Sequence, residues 1–151
     1  MNSSVRSRWL LLGGIGSIAV GFAHVAAILI GASAYQFMGA PDLALMAEHG
    51  SLLPTILTSG LVVLFLLWAL YAFSGVGLIR QLPLLRAGNV AIGVIYSLRG
   101  LVLIPELVCI FLGKYLTHRM AIFSAISLLI GLFYLLGAWY LFGVDRVVKK
   151  A

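Results

Sequence analysis

Four long apolar runs decide what this chain can fold into. They cover residues 9–30, 52–79, 87–112 and 120–144, and each is long enough to cross about 30 Å of hydrocarbon at about 1.5 Å of rise per helical residue. In hydrocarbon each backbone donor and acceptor must be satisfied within its own segment or in a closed barrel. These runs lack the alternation of barrel strands, so each reads as a helix. The expected fold is an all-α integral membrane protein, a single domain over residues 1–151 with four transmembrane helices in an antiparallel bundle. Composition enters here as support: 63% of residues are hydrophobic and 9% charged, against about 45–50% and about a quarter in soluble domains. A water-soluble surface cannot be built from so little polar material, and the first partner is the lipid bilayer.

The 10 Lys and Arg residues against 4 acids give a formal net charge of +6. Nucleic-acid binding needs such residues clustered on a solvated face, whereas here they end apolar runs, so no nucleic-acid partner is expected. Arg6, Arg8, Arg80, Arg86, Arg146, Lys149 and Lys150 fall on one side; only Lys114 and Arg119 fall in loops on the other, and residues 32–51 carry no Lys or Arg. This asymmetry places both termini in the cytoplasm and reads as a bacterial inner-membrane topology. Arg6, Arg8, the first run and the triplet Ala32, Ser33, Ala34 imitate a secretory leader. The run exceeds the 7–15 apolar residues of a leader core and is interrupted by His24, so it reads as a span. Cys109, alone inside an apolar run, reads as a small buried hydrophobe.

Residues 80–86 make a short cytoplasmic turn in which Pro83 is expected to end span two, and residues 113–119 a short outer turn in which Thr117 is placed to cap span four. The first outer loop is longer. Its segment 41–49 reads as a short interfacial helix opened by Pro41 and Asp42 and closed by Gly50, with Leu43, Met46 and Ala47 on one side; the alternative is a plain connector. Small residues recur every four positions at Gly13, Ser17 and Gly21 and at Ser127 and Gly131, a pattern that lets helices approach closely in lipid.

Span three carries the unusual chemistry. Asn89, Tyr96, Arg99 and Glu106 fall within roughly 100° of one another on a regular helix, forming one polar stripe expected to face protein. A central Arg costs about 2.5–3.5 kcal/mol on insertion and an acid a comparable amount, which nearly cancels the gain from the apolar residues around them. Arg99 lies about 10 Å deeper than Glu106, so a direct bridge needs a kink or an unusual rotamer; Pro105 supplies a kink and frees the carbonyl of Leu101 as an acceptor for Arg99 or Tyr96. His24 and Glu106 sit at matching depths and are expected to pair. The candidate buried polar site is therefore His24, Tyr96, Arg99 and Glu106, with Asp42, Glu48 and His49 as candidate outer-mouth residues, a role that for Glu48 and His49 ranks below a solvated outer surface.

Phosphate-binding loops, dinucleotide fingerprints, nucleophile elbows and zinc spacings are absent from the sequence. His24 is the only histidine inside a span, which leaves no axial pair for a membrane haem; no metal or cofactor is expected. The leading expectation is a non-enzymatic accessory or assembly component whose polar stripe docks another membrane subunit or its own copy. The alternative is a small transporter-like protein in which Glu106, His24 and Arg99 move protons or a polar solute. A membrane enzyme acting on a lipid or quinone ranks below both, because no nucleophile or redox centre is visible.

Overall fold

A computed structural model of the chain describes residues 3–113 and 118–143. Lys114, Tyr115, Thr117, Arg146, Lys149 and Lys150 lie outside the described residues, and with them the expected cap of span four and part of the charge asymmetry. Every regular element among the described residues is helical: α1 Ser3–Ile30, α2 Ala32–Phe37, α3 Pro41–Glu48, α4 Leu53–Gly75, α5 Leu85–Leu101, α6 Leu103–Phe111 and α7 His118–Gly143. Four helical stretches are long and apolar enough to cross a membrane, at Arg8–Ile30, Leu53–Gly75, Leu85–Phe111 and His118–Leu141.

The second run stops four residues before the apolar sequence does. Gly77 adopts φ 80°, and its N–H bonds Ser74 O at 3.1 Å while Leu78 N–H bonds Phe73 O at 3.0 Å. This pair of bonds satisfies the last carbonyls of α4 and requires a left-handed residue, which glycine supplies without a steric penalty. Pro83 therefore does not end this helix. The Ser74 hydroxyl then ties down the turn, donating to Arg80 O at 3.0 Å and accepting from Leu82 N–H at 2.9 Å. The same two-bond closure ends α2 at Gly39 and α3 at Gly50.

The chain forms two compact units, one comprising Met1–Gly16 and Trp68–Ala151 and the other Ser17–Leu67. In the unit Ser17–Leu67, buried Ala27, Tyr35 and Ala44 form a small core, flanked by Ala32, Ala34, Met38, Leu43 and Ala47. The expected helix at 41–49 is present as α3, with Pro41 in its first turn. Its packed side differs from the expected one: Ala44 is buried beside Leu43 and Ala47, and Met46 is exposed. The reason is α2, a six-residue helix between two positive-φ glycines that is too short to show periodicity in sequence. It presents Tyr35 to the Ala44 side of α3.

The larger unit is built on close approach. An ideal Cβ on Gly93 would lie 2.8 Å from Leu135 Cγ, on Gly131 2.5 Å from Ser97 Oγ and 2.9 Å from Gly93 O, and on Gly100 2.5 Å from Leu128 Cα. As α5 numbers rise, their α7 partners fall, so along this seam the two helices run in opposite directions. Gly13 meets the ring of Tyr134, and Gly16 meets Ile130. Tyr134 is fully buried, and its hydroxyl donates to Trp68 O at 2.8 Å. Small and polar residues fill the inside, including Ala69, Ala72, Ser74, Asn89 and Ser124, while Leu98, Phe111 and Trp139 are exposed. That distribution inverts the one water selects.

Candidate functional site

Asn89, Ile92, Gly93, Tyr96 and Gly100 form the buried face of α5. Asn89 is fully buried, and its Nδ2 donates to Leu85 O at 2.9 Å and Tyr71 O at 3.2 Å. Its Oδ1 has no hydrogen-bond partner among the described residues. The amide thus fastens α5 to α4 by supplying its own helix and its neighbour at once. Tyr96 packs edge-on against Trp68 at a ring separation of 4.9 Å and stacks on Tyr134 at 6.1 Å. The structure therefore gives Tyr96 an aromatic packing role in addition to any polar one.

Arg99 departs from the expected inward stripe. On the helical wheel it stands about 80° from Asn89, at the edge of the buried arc, and it is exposed. Its guanidinium reaches back across the seam, and Nη1 donates to Ser124 Oγ at 2.8 Å. Ser124 is fully buried. This bond, rather than one to the carbonyl of Leu101, is the described polar contact of Arg99. Ser124 was not among the sequence candidates; its signal is the seven-residue recurrence of small residues Ser124, Gly131 and Ala138, all buried on α7. Ser127 of the expected stripe instead bonds its own helix, donating to Phe123 O at 2.9 Å.

Glu106 follows the break in the Leu85–Phe111 stretch. Pro105 has no N–H to offer the carbonyl of Leu101, and the helix is interrupted at Val102 between α5 and α6. On an unbroken helix Glu106 would stand about 100° from Asn89, farther out than exposed Arg99. In the structure it is 9% exposed, the buried residue of α6. On α6 the residues withdrawn from the exposed side are Leu103, Glu106, Cys109 and Ile110, and α6 packs on α7. Glu106 Oε2 is sealed from solvent and has no hydrogen-bond partner among the described residues. Ser97 Oγ shares that condition on α5.

His24 belongs to the other unit. Its Nδ1 lies 2.8 Å from Val20 O, and its ring packs at 5.0 Å from that of Phe65. Because a carbonyl can only accept, Nδ1 is the donor of this bond. Asp42 stands in the first turn of α3 and Glu48 and His49 at its far end, all exposed; His49 Nδ1 bonds its own helix at Leu45 O, 2.7 Å away. Among the described residues no three His, Cys, Asp or Glu side chains group as a metal site.

The chain matches no protein-family profile, no characterised protein and no solved structure.

Proposed function

We propose that this chain is a small multi-pass integral membrane protein that acts as a non-enzymatic accessory or assembly component. Its four apolar helices form an antiparallel transmembrane bundle with both termini in the cytoplasm, in a bacterial inner membrane, and its Arg99 face docks another membrane subunit or a second copy of the chain. Arg99 carries this reading. It stands near the middle of the Leu85–Phe111 span, yet it is exposed. A guanidinium has five donors, and Ser124 takes one of them. Hydrocarbon gives the other donors nothing, at a cost of about 2.5–3.5 kcal/mol for a central Arg, whereas a neighbouring membrane helix with acceptors at that depth satisfies them.

Native mass measurement of the full chain in mild detergent, compared with Arg99→Leu and Arg99→Lys, tests the docking reading. The wild type is expected as an assembly that Arg99→Leu dissociates while remaining folded. An Arg99→Leu variant with unchanged stoichiometry overturns it. Membrane placement is tested separately, by resistance to alkaline extraction and by labelling single cysteines introduced into Cys109→Ser protein. Position 45 is expected to label from outside and position 83 not to; the opposite pattern reverses the topology.

A second reading, proton or polar-solute movement, is favoured by the unpartnered Oε2 of Glu106. It is separated from the first by flux assays of the wild type in liposomes.

A further inference from the structure

We propose that Glu106 is a reversible proton-binding site inside the membrane span, and that its ligand is a proton rather than a metal ion or an organic cation. The proposal deepens the second reading above and rests on the membrane placement of the bundle. Three observations carry it. Glu106 is nine-tenths buried on the protein-facing side of α6. Its Oε2 has no donor among the described residues, although an ionised carboxylate withdrawn from water is expected to be paired or richly hydrogen-bonded. The same oxygen is sealed from solvent, and no three metal-binding side chains gather among the described residues.

The size and coordination demands of the candidates decide between them. A divalent metal needs several hard ligands, and an ammonium group needs more than one acceptor together with room for its own volume. A proton needs one lone pair. On binding, a lone pair of the Glu106 carboxylate, which as a residue keeps 9% of its surface exposed, forms an O–H bond with a proton surrendered by hydronium, and water is released; on release, the O–H electrons return to the carboxylate and water takes up the proton. The charge change falls on α6 where it packs on α7. The charged and titratable groups carried by the adjoining elements are Arg86, Tyr96 and Arg99 on α5, Cys109 one turn along α6, and His118, Arg119, Tyr134 and Tyr140 on α7.

Infrared difference spectroscopy on the purified full chain in lipid nanodiscs tests this directly. Only four carboxylic side chains exist, Asp42, Glu48, Glu106 and Asp145, so the spectrum is simple. A pH step is expected to yield a protonated-carboxyl carbonyl band that vanishes in a folded Glu106→Gln variant and persists in Glu48→Gln. A hydrophobic carbodiimide, which reacts with protonated carboxyls in apolar surroundings, is expected to add one equivalent to the wild type and none to Glu106→Gln by intact mass. Identical difference spectra for wild type and Glu106→Gln, or a band abolished by sodium chloride at fixed pH, overturn the proton assignment. Release of the protein by alkaline extraction instead refutes the membrane placement, whatever the spectra give.

Discussion

Replacing Gly100 with alanine measures how firmly α5 is held on α7. An ideal Cβ at this position lies 2.5 Å from Leu128 N, Cα and Cβ, whereas carbon atoms in contact prefer about 3.5–4.0 Å. The seam must open by roughly 1 Å. Two of the three obstacles are backbone atoms, so a change of rotamer gives no relief. Overpacking of this kind costs about 1–3 kcal/mol, while exchanging a helical glycine for alanine returns up to about 1 kcal/mol of propensity. The net expectation is a loss of about 0–2 kcal/mol, which places Gly100→Ala about 1–3 kcal/mol below a variant that keeps the propensity gain alone. Gly60 provides the reference, since no atom lies within 4 Å of its ideal Cβ, and Gly60→Ala should keep only the propensity gain. Both variants are to be unfolded in mild detergent by heat and by denaturing detergent. A Gly100→Ala protein as stable as Gly60→Ala would show that the α5–α7 approach is looser than the geometry states.

Arg99→Leu and Ser124→Ala should be non-additive by about 1 kcal/mol in a double-mutant cycle on unfolding, because both remove one hydrogen bond; strict additivity would mean that the bond contributes nothing. Tyr134→Phe, which deletes the donor to Trp68 O while keeping the ring, is expected to cost about 1 kcal/mol in thermal unfolding. Backbone conformation supplies an opposed pair: Gly77→Ala should destabilise by about 1 kcal/mol because φ is 80° there, and Leu84→Gly should stabilise by a similar amount because Leu84 holds φ 52°. Equal signs for the two variants in the same unfolding assay would contradict the left-handed assignments.

Whether a chain of this kind is helical is settled by its sequence, because a run of twenty apolar residues has few other ways to satisfy its backbone in hydrocarbon. Four helices long and apolar enough to cross a membrane, the opening of α3 at Pro41 and its closure at Gly50 were all legible in this way. The inward position of Asn89 was legible as well, since it follows from helical phase alone. What sequence left open was anything that depends on how one helix is rotated against another. Arg99 and Glu106 share a side of the wheel, yet one is exposed and the other buried, a difference that belongs to what packs against each of them, α7 covering the side of α6 that holds Glu106. The partner of Arg99 is Ser124, twenty-five positions away, a choice fixed by the register of α5 on α7 and by glycines that bring the two backbones together. Periodicity specifies which residues share a face; the face they meet is set by packing across the seam, where small residues let the backbones approach.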